Sequence, residues 1–101
     1  MSASDDRVRL LHMRNTAQQA LVFAEGASRD LLDQDTKLVF ALVRAVEIIG
    51  EAASRISQDF HDAHPEIPWP LMVGRATGSS LLTLRSTWTS CGRLLRSVSS
   101  P

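Results

Sequence analysis

Apolar residues in the first quarter of the chain recur three and four positions apart, which is the period of an amphipathic helix. Ser4, Asp5 and Asp6 open this segment with a hydroxyl that can cap free amides and two carboxylates that suit the positive end of a helix dipole. Gly26 favours an end there, because glycine adopts the left-handed conformation at little cost. The pattern predicts a first helix from about Asp5 to Glu25.

A second helical pattern fills the middle of the chain. Its apolar seam follows an unbroken spacing of three and four residues: Val39, Leu42, Val46, Ile49, Ala53, Ile56 and Phe60. This spacing predicts a continuous helix from Asp35 to Phe60 that packs antiparallel to the first helix and buries the seam, partly across a subunit interface. Because apolar residues also lie beyond this seam, we expect a third helix or a second subunit to cover them. Gly50 interrupts the helix, and such a glycine usually lets another backbone come close.

A proline-rich turn follows the second helix. Proline disfavours the helical conformation in the residue before it, so the stretch from His61 to Pro65 is predicted to end the helix that runs to Phe60. Trp69 lies between Pro68 and Pro70, and we expect it to cover one end of the core. The short segment from Ser28 to Asp35 is predicted to be a connection whose last residue can cap the second helix.

The sequence changes character after Gly74. Residues 75–101 contain seven serines, four threonines and four arginines, and neither a helical nor a strand period is sustained. We therefore predict an irregular, poorly ordered C-terminal tail over these residues.

Length, charge and cysteine content narrow the class of protein. A chain of 101 residues allows one small domain, and its longest apolar run, Leu38 to Val43, is far shorter than the roughly 18–20 residues of a membrane span. The absence of a signal peptide and the single cysteine, Cys91, favour a cytoplasmic protein without a disulfide framework. The net charge is zero, with −4 on residues 1–74 and +4 on residues 75–101. A chain with no net charge lacks the excess positive charge that tight, non-specific nucleic-acid binding requires.

Few residues suggest chemistry on their own. His61 and His64 could hold a metal ion, although paired helical zinc ligands more typically lie four residues apart. His12 could act as a base, and Glu47 and Glu51 could share a proton or an ion; the alternatives are an interface histidine and a solvated helix face. The chain lacks a nucleophile elbow and a glycine-rich phosphate loop, and we expect no cofactor and no bound metal.

Three motifs together resemble the HepT-like family. They are Arg9-x-x-His12-Met13, Glu47-Ile48-Ile49-Gly50-Glu51-Ala52-Ala53 and His64-Pro65-Glu66-Ile67-Pro68-Trp69. The resemblance covers about residues 7–74, and the family-motif positions that we single out are Gly50, Glu51, Pro65, Pro68 and Trp69. It implies an all-α, up-and-down antiparallel bundle of the HEPN type that forms a homodimer. It also implies an endoribonuclease toxin, with RNA as its substrate, restrained by an MntA-type nucleotidyltransferase antitoxin that transfers AMP to a tyrosine of the toxin.

The family's active-site motif, Arg-x4–6-His-x-Tyr, should begin just after the stretch that ends at Gly74. Arg75 follows Gly74 directly, but no histidine lies beyond His64 and the chain contains no tyrosine. Without an imidazole for proton transfer, the family mechanism loses its general acid or base. We therefore assign no catalytic residue, and we divide the chain into an incomplete HepT-like domain, residues 1–74, and a divergent tail, residues 75–101.

We consider two origins for residues 75–101. One is a shifted reading frame near Gly74, because suitable codons for this stretch, read in another frame, encode an amphipathic, tyrosine-containing sequence. Even that frame cannot supply the histidine of the motif. The other is a genuine divergent tail.

The resemblance favours a toxin component, ancestrally a ribonuclease, whose catalysis is lost. The alternatives are a non-catalytic helical module that dimerises and binds the antitoxin through residues 1–74, and a metal-binding helical protein that uses His61 and His64.

Overall fold

The computed structural model describes residues 3–25, 36–74 and 80–99, and the regular structure of these residues is entirely helical. The helices are α1 (Ala3–Glu25), α2 (Thr36–Arg55), α3 (Gln58–Ala63), α4 (Trp69–Met72) and α5 (Ser80–Ser99). The all-α prediction is confirmed, and no described helix is both long and apolar enough to cross a membrane. The predictions for Gly26 and for the segment from Ser28 to Asp35 lie outside the described residues.

Helices α1 and α2 form the antiparallel pair that the sequence predicts. Asp6, in the first turns of α1, contacts Ser57 just beyond the end of α2. Phe23, near the end of α1, lines the same groove as Ala41 near the start of α2. The start of each helix therefore lies beside the end of the other, and the apolar faces of both point into one core.

The predicted α2 seam packs into the core except at its N-terminal end. Leu42, Ile49, Ala53 and Ile56 are buried, and Val46 and Phe60 are half-buried against the same core. Val39 is 42% exposed, so the prediction of its burial is wrong for the single chain. Phe40 and Ala41 are also exposed, whereas Leu38 is half-buried against the core, because this end of the helix lies at the edge of the bundle.

The continuous helix predicted from Asp35 to Phe60 is wrong, because α2 ends at Arg55. The carboxylate of buried Asp6 accepts hydrogen bonds from the backbone amide of Ser57 at 3.0 Å and from its hydroxyl at 2.8 Å. The Ser57 hydroxyl oxygen in turn accepts from the amide of Phe60 at 3.2 Å and caps α3. A carboxylate from another helix has thus taken the amide that a continuous α2 would use internally.

Gly50 lies where α2 meets α4, and the close approach that the sequence predicts is confirmed. A Cβ atom at Gly50 would lie 3.2 Å from the carbonyl oxygen of Met72 and 3.7 Å from the backbone of Val73. A side chain at this position would require the backbone around Met72 to move away by a few tenths of an ångström, so glycine suits the close packing of α4 on α2. The turn then ends at Gly74, whose φ of 83° also favours glycine.

The irregular tail predicted for residues 75–101 is wrong over residues 80–99, which form α5. The inward face of α5 is regular in its spacing and mixes aliphatic, sulfur and small hydroxyl side chains: Thr83, Leu84, Thr87, Ser90, Cys91, Leu94 and Leu95. The Thr87 hydroxyl donates to the carbonyl of Thr83 at 2.7 Å, so a hydroxyl can be buried there without losing its hydrogen bond. Threonine and serine at core positions therefore concealed the helical period.

Helix α5 packs along α1 and also contacts α2 and α4. It is the third helix that the breadth of the apolar surface on α2 requires. The core consequently lies between three long helices rather than between two.

We predict that the contact between Asp6 and Ser57 stabilises the fold measurably. Asp6→Ala leaves the Ser57 amide without its buried acceptor, so the free energy of unfolding should fall by about 1–3 kcal/mol. Ser57→Ala removes the hydroxyl that joins Asp6 to α3, and the double variant should lose less than the sum of the two. Urea unfolding of the four chains measures this coupling. Strict additivity would show that the two side chains act independently.

Cys91 should be inert in the folded protein. Burial raises the pKa of its thiol to about 12, against a smaller opposite effect from the charge of Arg14. A disulfide reagent at pH 8 should therefore modify the folded chain far more slowly than the urea-unfolded chain, because the thiolate is the reacting form. Since folding favours the thiol, its contribution to stability is full below the unfolded-state pKa and is lost as pH rises from about 9 to about 12. Equal labelling rates for the two states would contradict the burial.

Candidate functional site

An open cleft of about 260 Å³ lies between α1 and the second half of α2. Its lining combines cationic, imidazole, carboxylate and aliphatic side chains: Arg9, His12, Ile48, Glu51, Ala52 and Arg55. Arg9 and His12 are three residues apart on α1, and Ile48, Glu51 and Arg55 follow a spacing of three and four on α2. Each set therefore occupies one stripe of its helix, beside the buried seam. The antiparallel packing of the two helices brings the stripes together.

Cations outnumber carboxylates in this cleft. Arg55 Nη2 lies 2.8 Å from Glu51 Oε1, and both side chains are exposed, so the pair is screened by water and contributes little stability. Arg9 adds a second guanidinium group, and guanidinium groups match the geometry of phosphate oxygens. His12 places an exposed imidazole on the α1 side of the cleft. The cleft has the groups needed to hold a phosphate beside an imidazole.

The two carboxylates on α2 act separately. Glu47 Oε2 lies 3.3 Å from Arg44 Nη1, whereas Glu51 is paired with Arg55. Each carboxylate therefore has its own exposed arginine, one helical turn or less away. The sequence left two interpretations of Glu47 and Glu51 open, a shared proton or ion and a solvated helix face. The separate exposed ion pairs match the solvated helix face.

The turn after α3 uses both candidate zinc histidines in packing. The His61 ring stacks on Trp69 with 4.2 Å between centroids, and its Nε2 lies 3.0 Å from the carbonyl oxygen of Ala53. His64 Nδ1 lies 3.3 Å from Glu66 Oε1, and its ring lies 4.6 Å from Phe60. The residues that the structure describes contain no group of three His, Cys, Asp or Glu side chains that could hold a metal. Among the described residues, no third ligand accompanies His61 and His64.

Trp69 covers one end of the core, as the sequence predicts. The side chain is buried, and its indole nitrogen donates to the carbonyl of His64 at 3.0 Å. Nearby, a hydrogen bond to its own backbone amide lowers the pKa of the exposed Glu66, with smaller contributions from His64 and from Arg93 of α5. Helix α5 contacts α4 directly after this turn.

The five family-motif positions have different roles. Glu51 is the one that lines the cleft, and Gly50 provides the contact with α4. Pro68 precedes α4 and its carbonyl accepts from the amides of that helix, whereas Pro65 is exposed in the turn. Trp69 packs over the core. The motif therefore specifies chiefly how α2 and the turn fit together.

Sequence reasoning did not single out Arg55 as a site residue. Its signal is the spacing from Ile48 and Glu51, which continues the polar stripe by one turn. This signal becomes informative only when the partner stripe on α1 is known.

Comparison with known proteins agrees with the motifs. The family model described as Ribonuclease HepT-like matches residues 13–75. A Methanocaldococcus jannaschii protein named as an RNase is 32% identical over 74 residues, which cover 73% of this chain and 68% of the relative. A Thermococcus cleftensis protein named as a ribonuclease HepT is 60% identical over 59 residues, which cover 54% of each protein.

A third relative, from Caldanaerobacter subterraneus and also named as an RNase, is 31% identical over 65 residues, 64% of this chain and 58% of its own length. Two of these three relatives are thus matched over less than two thirds of their length. No solved structure matches the chain. The family model covers more than half of the chain, and its match ends at Arg75, before α5 begins. This protein belongs to the HepT-like ribonuclease family.

Proposed function

We propose that this chain is the toxin component of a bacterial toxin–antitoxin pair, with RNA as its ancestral substrate and a nucleotidyltransferase as its antitoxin. The observation that carries the proposal is the family match over residues 13–75. The cleft between α1 and α2 supports it, because Arg9 and Arg55 can bind a phosphate and His12 lies beside them.

The proposal includes the loss of RNA cleavage by the family mechanism. The resemblance places the catalytic motif after Gly74, and from that point the sequence contains neither histidine nor tyrosine. Helix α5 directs small hydroxyl side chains such as Thr87 and Ser90 into the core. Neither group has the near-neutral pKa that metal-independent proton transfer requires. The chain therefore acts by binding its partner rather than by cutting RNA.

We expect the purified chain to leave a single-stranded RNA substrate intact in the presence of a metal chelator. The His12→Ala variant should behave identically, because the family mechanism takes its imidazole from the motif after Gly74, which this chain lacks, and not from His12. Gel analysis of an end-labelled RNA measures both, with His64→Gln as the control for removing an imidazole outside the cleft. Cleavage by the wild-type chain would overturn the loss of catalysis, and its disappearance in His12→Ala alone would locate the active site in the cleft.

The antitoxin is tested separately by co-expression with a cognate nucleotidyltransferase. A stable complex in gel filtration supports the toxin–antitoxin assignment whether or not RNA is cut. Failure of the two proteins to associate would contradict it.

A homodimer is the second part of the proposal, and an apolar groove supports it. The groove, about 270 Å³, continues the α1–α2 junction away from the charged cleft and is lined by Thr16, Gln19, Ala20, Phe23, Ala41, Leu42, Arg44, Ala45 and Ile48. Phe23 is 65% exposed there, and Phe40, next to Ala41, is 68% exposed. Contiguous exposed apolar surface of this kind marks an interaction site.

We expect light scattering to give twice the 11.1 kDa mass of the single chain. Phe23→Asp places a charge in the groove and should shift the mass toward the monomer, because burying an unpaired carboxylate is costly. Val8→Asp is the matched control, since Val8 is an equally exposed α1 residue that does not line the groove. A monomeric wild-type chain, or equal effects of the two variants, would contradict a dimer through this surface.

A further inference from the structure

A second cleft, of about 300 Å³, lies between α1 and α5. It is lined by Arg14 and Gln18 from α1 and by Trp88, Thr89, Gly92 and Arg96 from α5. Four of these six residues lie beyond the end of the family match at residue 75. The cleft is therefore a feature of this chain's own C-terminal helix.

Trp88 gives the cleft an aromatic wall. Helix α5 packs along α1, and Thr87, the residue before Trp88, is buried. Trp88 itself is 45% exposed. An indole that remains open to solvent beside cationic groups is a stacking platform for a flat heterocycle, and every nucleobase has such a face.

Arg14 carries an unused hydrogen-bond donor. Its Nε is buried and has no hydrogen-bond partner within the part of the chain that the structure describes. A buried donor without an acceptor is costly. The Nε atom itself is out of reach of a ligand, so Arg14 contributes to the cleft through the part of its side chain that lines it.

Arg96 and Gly92 form the opposite side. A Cβ atom at Gly92 would lie 3.8 Å from Arg96 Nη1, so the guanidinium group extends over a position that carries no side chain. No acidic residue is among the described residues that line the cleft, and the sequence of residues 75–101 has a charge of +4 with no Asp or Glu.

The geometry points to a binding site for a nucleoside phosphate. Trp88 stacks on the base, Arg14 and Arg96 bind the phosphate, and Gln18 and Thr89 provide hydrogen-bonding groups for the edge of the base or the sugar. The site uses none of the residues of the α1–α2 cleft, so it stands independently of the proposed toxin function.

The first measurement is calorimetric titration of the full chain with AMP, adenosine and inorganic phosphate. AMP should bind at least roughly tenfold more tightly than either fragment, because the arginines and the indole each recognise a different part of it. A short oligoadenylate, compared with AMP in the same buffer, distinguishes the source of the ligand. Tighter binding of the oligonucleotide than of AMP indicates that the ligand of the site is an RNA strand. Equal or weaker binding indicates that the ligand is a free nucleotide.

Two variants test the assigned roles. Trp88→Ala should weaken AMP binding by roughly fivefold or more, and Arg14→Gln by roughly tenfold, whereas Arg14→Lys should retain part of the affinity because it keeps the charge. Arg85→Gln and Val8→Ala are the matched controls, since each is exposed and lies outside the cleft. Circular dichroism verifies that every variant is folded.

The site is overturned if neither AMP nor the oligonucleotide binds at millimolar concentration. It is equally overturned if Arg85→Gln weakens binding as much as Arg14→Gln, because the effect would then be one of net charge. Binding that persists in His12→Ala, with or without RNA cleavage, separates this site from the α1–α2 cleft.

Discussion

The hydrogen bonds between Asp6 and Ser57 organise one end of the molecule. They hold the start of α1 against the end of α2, and they force α2 to stop. Because the helix ends there, the carbonyl of Ala53 faces the imidazole of His61 instead of the Ser57 amide. His61 in turn stacks on Trp69 and fixes the turn that leads to α4. One buried carboxylate therefore begins a series of three contacts, which continues from Ala53 to His61 and from His61 to Trp69.

The parts of the fold that could be predicted from sequence are those in which apolar residues alone carry the helical period. The length of α1 and the burial of Leu42 and Ile49 belong to this class. The end of α2 could not be predicted, because its cause is a carboxylate 51 residues away in the chain. Helix α5 could not be predicted either, because Thr87 and its neighbours fill core positions with side chains that a binary apolar–polar pattern scores as surface.

The candidate sites show the same division between local and distant information. His12 and Glu51 were recognisable as chemically capable side chains, but their placement in one cleft depends on the antiparallel register of two helices. Arg55 was missed for that reason. The cleft around Trp88 was still less accessible, because it exists only if residues 80–99 are helical and pack on α1. The family match, which ends at Arg75, holds no information about that part of the molecule.

The two tryptophans occupy opposite environments. Trp69 is buried, bonded through its indole nitrogen and covered by the ring of His61, whereas Trp88 faces solvent from α5. Their emission spectra should therefore differ, with a blue-shifted component from Trp69 and a red-shifted, quencher-accessible component from Trp88. In a chain with no tyrosine, ultraviolet-excited emission comes from these two side chains. The protein thus carries one intrinsic optical reporter for its HepT-like core and another for the helix that lies beyond it.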